Sequence, residues 1–416
     1  MPSITTTTAP NGLQLHRISI PGTRALTTLV AFDAGARCER ETENGIAHFL
    51  EHLVFKGGER YRNYREVNET AERMGAMLNA YTSHDLVAFH ITSRAETAPL
   101  AIDLLTDIAG RPQIDADELE RERGVVIQEI ARAYDQPSTV AEYLIDRAAF
   151  GEHPLGRPVL GPEEHLRSFS RDEIFAFRER RWTPSRGAAF LVGNTDHLPD
   201  EATLNEWFTR FPTQEASDNV EPAPACAAEI LVEQRDTNQS HLRLVYRSEV
   251  DPADPAERAA LSIYSTLLGG SMGSRLFDEL REQRGLCYSV WSVDHSFSDA
   301  SMLGLGAGLD SSKCVEAYRL MREIVDALRK EGPTEDEVER ARAYAAGRRA
   351  IAFENSGAVA RYAANQAVVY DDSLDPDLAI TRIDGVSYEA VREVARGISE
   401  EVAVACVGPQ TVSDFS

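Results

Sequence analysis

The chain repeats itself, and that repeat is the strongest limit on how it can fold. A strand pattern at 242–246 matches one at 29–32. A helical pattern over 257–268 stops at Gly269-Gly270, as the pattern over 44–55 stops at Gly57-Gly58. Glycine suits such stops because it enters left-handed backbone without a Cβ penalty. Glu282-Gln283-Arg284-Gly285 parallels Glu72-Arg73-Met74-Gly75, the helix pattern of 315–328 matches that of 95–109, and DEVERAR at 336–342 matches DELERER at 117–123. Two copies of roughly 200 residues each mix strands and helices without strict alternation. This predicts an α+β fold: two homologous domains from a duplication, each a mainly antiparallel sheet packed with helices. Between them, residues 211–228 are rich in Pro, Ala and Ser and have no apolar period. The expected division is a first domain over 1–212, a linker over 213–227 and a second domain over 228–416.

In the first copy, strands are expected at 13–20, 27–35, 77–83, 86–93 and 188–193. Helices are expected at 44–55, 64–74, 95–109, 117–133, 140–150 and 170–181.

One stretch sets the first copy apart. His48-Phe49-Leu50-Glu51-His52 places two imidazoles four residues apart on one helix face, with a carboxylate beside them. This H-x-x-E-H order is the inverzincin pattern. Neutral imidazole ligates zinc well, and a neighbouring carboxylate can take a proton from water that the metal activates. When the copies are aligned on their glycine pairs, His48 falls opposite Ala260, Glu51 opposite Ile263 and His52 opposite Tyr264. A solvated face would be polar in both copies. This one is apolar in the second, so the scaffold treats it as interior, where ionisable groups are costly unless paired or metal-bound.

A catalytic zinc takes three protein ligands. The 117–133 helix offers Glu129, set in the apolar run VVIQEI, and Glu122 two turns earlier on the same face. Their partners in the second copy are Arg348 and Ala341, so these carboxylates disappear where the histidines do. Glu129 is the expected third ligand, and Glu122 supports a ligand or positions substrate. His84, His90, His153, His165, His197, His241 and His295 lack ligand spacing and fall outside the metal set.

A formal charge of −24 argues against nucleic acid and anionic membrane as partners; it serves solubility, and would attract basic peptides if it lines a cavity. No apolar run is long enough to span a bilayer, and the N-terminal residues lack a basic-then-apolar leader, so a cytoplasmic protein is expected. The five cysteines are far apart with no CxxC pair, which indicates neither a disulfide framework nor a cysteine zinc site.

NGIAHFLEHLVFKG from Asn44, NAYTS at 79–83, VVIQEI with Glu129 and SRLFDELREQRGLCYSV at 274–290 resemble the pitrilysin, insulin-degrading enzyme and mitochondrial processing peptidase family. The resemblance covers essentially the whole chain. It implies a zinc endopeptidase that encloses peptides in a chamber of four homologous domains. By the same resemblance His48, His52 and Glu129 hold one zinc per chain, Glu51 is the general base on the activated water, and Glu122 is an auxiliary acid. Asn79 and Ala80 lie on an edge strand that pairs with substrate backbone, and Arg281 with Tyr288 binds substrate carbonyls. A chain with two of the four domains implies a pair of chains. Because both the zinc motif and the Arg/Tyr pair are here, a homodimer with two zinc sites is expected.

The leading expectation is a metalloendopeptidase acting on unfolded peptides. One alternative is a processing peptidase that removes N-terminal segments from precursors; the short glycine stretch LLGGSMGSR at 267–275 gives it little support. An alternative of another class is a catalytically silent core subunit, which would be expected to lose Glu51 or a ligand.

Overall fold

The computed structural model describes residues 2–213 and 220–416. In chain order the first half contains β1 (Ser3–Thr8), β2 (Gln14–Ser19), β3 (Ala25–Phe32), α1 (Ile46–Val54), α2 (Tyr64–Met74), β4 (Met77–Thr82), β5 (Val87–Arg94), α3 (Ala98–Gly110), α4 (Ala116–Asp135), α5 (Pro137–Phe150), α6 (Glu163–Ser168), α7 (Arg171–Arg181), β6 (Gly187–Gly193) and α8 (Glu201–Phe208). The second half contains β7 (Ile230–Gln234), β8 (Gln239–Ser248), α9 (Pro255–Ser265), β9 (Cys287–Ser296), β10 (Ser301–Asp310), α10 (Cys314–Glu331), α11 (Glu335–Ala352), α12 (Ser356–Asn365), α13 (Pro376–Asp384), α14 (Tyr388–Arg396) and β11 (Ile398–Gly408).

The duplication is legible in the sheets. One has six strands in the order β1-β2-β6-β3-β5-β4, and the other has five in the order β7-β11-β8-β10-β9. Without β1, the two orders match strand for strand. Each has one parallel pair, β2 with β6 and β7 with β11, and is otherwise antiparallel.

In the first sheet, side chains alternate between two buried faces, as the pleat requires. Val30 and Phe32 join Phe49, Leu50 and Leu53 of α1 and Ile102 and Leu105 of α3. Leu29 and Ala31 turn the other way, with Phe190 and Val192, onto Val359, Ala360, Ala363 and Ala364 of α12. In the second sheet, Leu244 and Leu303 pack with Ile263, Met321 and Val325, while Ala403 and Ala405 pack with Ile145, Ala148 and Ala149 of α5.

These contacts correct the expected division at 212 and 228. The compact units are discontinuous: one runs to Ile130, then Pro158–Glu221 and Ile351–Leu378, and the other takes Ala131–Arg157, Pro222–Ala350 and Ala379–Ser416. The halves exchange a helix each. α5, from the first half, covers the second sheet, and α12, from the second half, covers the first. The physical reason is burial: a sheet apolar on both faces needs a cover on each, and chain order does not dictate which helix supplies it. Part of the expected linker, residues 214–219, lies outside the described residues.

The start of α11 carries a pH-dependent contribution to stability. Arg275 grips Glu337 with two bonds of 2.5 and 2.8 Å, and the amide and hydroxyl of Thr334 donate to the same carboxylate. Burial alone would raise the Glu337 carboxyl, but these partners outweigh it and hold it at about 2. A depressed carboxylate stabilises the fold above its unfolded value, about 4.5, and that stabilisation is lost as pH falls toward the folded value. Glu337→Gln should therefore lower stability by about 1–2 kcal/mol at pH 7, a figure discounted for the solvent that reaches the pair. Urea midpoints of wild type and variant should converge between pH 4.5 and pH 2. A gap that stays constant with pH would assign the effect to packing.

Candidate metal centre

α1 is short, and its placement is tightly fixed. It begins after Gly45, whose φ of 100° is left-handed and where a Cβ would meet the Leu160 carbonyl oxygen at 2.7 Å. It is followed by Gly57 at φ 138°, where a Cβ would lie 2.6 Å from the Arg62 backbone. Phe49, Leu50 and Leu53 anchor it in the core, and His48 is buried beside them. α4 begins where Asp115 Oδ1 accepts the Asp117 amide at 2.9 Å, and it buries Leu119, Val126 and Ile130.

The two helices bring three ligand groups together. Atoms of His48, His52 and Glu129 all lie within 4.8 Å of one another. Glu129 Oε2 is 3.3 Å from His52 Nε2 and 3.8 Å from His48 Nε2. Ligands on a tetrahedral zinc with bonds of about 2.0–2.2 Å are separated by about 3.4 Å, so these spacings suit that ion. Two imidazoles and a carboxylate are also a suitable donor set. The run VVIQEI suggested apolar surroundings for Glu129, yet its side chain is 43% exposed. The flanking Ile130 takes the buried position, and the carboxylate lies on the accessible side of the centre.

The far side of the His52 ring is held as well. Glu122 Oε1 lies 2.9 Å from His52 Nδ1, and Lys56 Nζ pairs with the other oxygen of Glu122. This orients the ring so that Nε2, rather than Nδ1, faces the ligand cluster. Glu51 is not among the clustered ligands. Its Oε2 accepts a 2.6 Å bond from the Thr82 hydroxyl at the end of β4.

Electrostatics separates the groups. Burial, reinforced by the neighbouring His52, lowers His48 to about 4, which leaves its imidazole neutral and fit to ligate. Burial also works against a charged His52, but bonds to Glu122 and Glu129 outweigh it and raise the ring to about 9. Without metal that ring holds a proton, for which a cation must compete. Glu122 is lowered: burial opposes this, and His52 and Lys56 overcome it. Burial raises Glu51, and Thr82 pulls it only part of the way back. Raising the carboxyl makes it a stronger base than an ordinary carboxylate.

The remaining sequence candidates are placed but not joined to this cluster. Asn79 and Ala80 lie on β4, the edge strand, and the Ala80 amide donates to the Asn79 side chain at 2.9 Å. Arg281 and Tyr288 belong to the other compact unit. There the guanidinium lies over the Tyr288 ring at 5.6 Å and the Phe277 ring at 4.6 Å. Tyr288 is 83% exposed on edge strand β9, so it is not a packed strand residue.

Sequence reasoning missed Thr82, Lys56 and Glu39. Thr82 sits within NAYTS, and Lys56, one of three lysines, sits within the motif stretch, so both carried a signal. Glu39 carried none. In the second copy, Ala260, Ile263 and Tyr264 are all buried in the core, as an interior face requires.

The fold is a duplicated α+β scaffold, and its first copy bears a zinc-type ligand set. Known proteins share this scaffold. Residues 17–163 match the family model described as insulinase (peptidase family M16), and residues 168–344 match the one described as peptidase M16 inactive domain. The uncharacterized zinc protease YmxG of Bacillus subtilis is 30% identical over 97% of both chains. An uncharacterized zinc protease of Mycobacterium tuberculosis is 31% identical over 97% of this chain and 92% of its own. A peptidase M16 inactive domain from Pseudomonas fluorescens superposes with a TM-score of 0.89 at 19% identity, over 98% of this chain and 99% of its own. A protease from Helicobacter pylori does so with a TM-score of 0.86 at 20% identity, over 98% and 100%. The chain belongs to the insulinase family of peptidases. Among the described residues no helix is long and apolar enough to cross a membrane.

Proposed function

We propose that this protein is a zinc-dependent endopeptidase that hydrolyses unfolded peptides, with one zinc per chain held by His48, His52 and Glu129. The observation that carries this reading is the convergence of those three groups beside Glu51, with His48, Glu51 and His52 at α1 positions that the internal duplicate fills with the core residues Ala260, Ile263 and Tyr264. Zinc, when bound, supplies a Lewis acid that activates water and polarises a carbonyl. Glu51 takes the proton of the attacking water and returns it to the leaving amine. Glu122 and Lys56 hold His52 in orientation, and Thr82 holds Glu51. The free edge of β4 at Asn79 and Ala80 binds substrate backbone by strand addition, which tolerates many sequences. Arg281 and Tyr288 contact substrate carbonyls, the phenol stabilising the oxyanion.

A catalytically silent subunit is disfavoured because all four zinc and base residues are present. Zinc is the native metal and a homodimer the working form. The homodimer gives a solution mass near twice 45.9 kDa.

The test pairs metal analysis with cleavage of a basic, unstructured peptide. About one zinc per chain is expected, with activity lost to a chelator and restored by zinc. Tyr288→Phe should slow turnover by about 10²-fold with zinc content unchanged. A protein that binds zinc and cleaves no unfolded peptide would overturn the peptidase reading. A Tyr288→Phe protein with full turnover would remove only the phenol from the mechanism.

A further inference from the structure

Gly45 leaves the ligand helix without a cap of its own. It occupies the N-cap position of α1 and has no side-chain oxygen to receive the first free amides. Another residue fills the gap. The Glu39 carboxylate accepts from the Ala47 amide through Oε1 at 2.8 Å, and from the Gly45 amide through Oε2 at 2.9 Å. The Asn44 side-chain amide also donates to Oε2, at 3.0 Å. In a capping box two residues share these duties, one receiving a first-turn amide and the other the amide of the cap residue. Here one carboxylate, reaching back from outside the helix, receives both.

The setting is unusual for an acid. Glu39 is 4% exposed, and among the described residues no Arg, Lys or His pairs with it. Burial pushes its carboxyl up to about 8 even though its three hydrogen-bond partners are all donors, which favour the anion. The compensating charge is the helix itself, whose N-terminus is electropositive. The first turn of that helix ends at His48, one residue past Ala47. The surroundings leave the turn little room: Asn44 donates to the Pro158 carbonyl at 3.1 Å, and a Cβ at Gly161 would strike the Asn44 carbonyl oxygen.

We propose that Glu39 is a positioning residue for the metal centre, fixing the first turn of α1 so that the His48 imidazole is held where zinc requires it. This rests on the zinc reading of the site. If Glu39 were a stabilising cap alone, weakening it would lower the unfolding temperature and leave the zinc affinity of the folded protein unchanged. If it positions His48, the zinc affinity falls in protein that is still folded.

Glu39→Gln tests the difference. The amide keeps the shape and one acceptor oxygen, but its NH2 must face a donor, so at least one amide of the first turn loses its partner. Near-UV circular dichroism establishes that the metal-free variant is folded. Its zinc dissociation constant is then measured by competition with a fluorescent chelator. About 10- to 100-fold weaker zinc binding is expected. At saturating zinc, kcat should fall for peptide cleavage with KM unchanged. Should Glu39→Gln not fold, Asn44→Ala removes one donor and leaves the carboxylate, and zinc binding several-fold weaker is expected. A folded Glu39→Gln protein with wild-type zinc affinity and kcat overturns the inference. Asn44→Ala with wild-type affinity does the same where the first variant is unfolded. Wild type is the internal control: if it takes up no zinc the metal reading itself fails, whereas zinc-binding wild type beside an equally tight variant sinks the positioning role alone.

Discussion

Glu51→Gln keeps its zinc and stops cutting peptides. The expected fall in kcat is about 10²–10⁴-fold, the range over which a positioned general base contributes. Three arguments support retention of the metal. Glu51 is outside the cluster formed by His48, His52 and Glu129. The substitution is isosteric, and the Thr82 hydroxyl that donates to Oε2 at 2.6 Å can donate equally to an amide oxygen. Removing a buried carboxyl that burial has already raised also relieves a desolvation cost, so the fold should not suffer. The loss of activity follows from basicity, since an amide cannot take the proton of the attacking water. Zinc content by mass spectrometry and cleavage of an unstructured peptide are measured on the same preparation. Loss of zinc along with activity would make Glu51 a ligand, and full activity would remove it as the base.

The parts of this molecule that can be read from sequence are those that rest on local spacing. Positions three and four apart on a helix must share a face, so His48, Glu51 and His52 could be grouped before any coordinates. Glu122 and Glu129 follow the same rule over two turns. The duplicate added what spacing cannot give, because apolar Ala260, Ile263 and Tyr264 declared the face interior. The strands of the first sheet were legible by alternation, as at 13–20, or by a short apolar run, as in AAFLVG at 188–193, with one exception. β1 is a run of threonines with no apolar period, and its place at the sheet edge, largely exposed, explains why none was needed.

What escaped depends on approach in three dimensions. The exchange of α5 and α12 is silent in sequence. Val359, Ala360, Ala363 and Ala364 say that a helix packs closely on something flat, and nothing in them says which sheet. Lys56 and Thr82 acquire meaning only when α4 and β4 come beside α1. Glu39 is the extreme case. A charged residue nine positions before His48 reads as surface, and its burial is evident only once a glycine cap is seen to need an acceptor.

Glu129→Gln should empty the centre, whereas Glu122→Gln should only loosen it. The two carboxylates share one helix and both touch His52, but on opposite sides of the ring. Glu129 Oε2 faces Nε2 at 3.3 Å and His48 Nε2 at 3.8 Å, which places it among the ligand atoms. Glu122 Oε1 meets Nδ1 at 2.9 Å, and its second oxygen is taken by Lys56, so it cannot join the ligands without breaking both contacts. Losing such an outer partner typically weakens metal binding by about 10–100-fold. Loss of one of three protein ligands should exceed that, leaving two imidazoles that have both lost an anionic neighbour. Chelator competition on both variants gives the order directly, with activity restored by excess zinc in Glu122→Gln and not in Glu129→Gln. The reverse order would exchange their roles: the partly exposed carboxylate would then serve substrate, and the buried one would have to swing from Nδ1 to the metal, at the expense of its ion pair with Lys56.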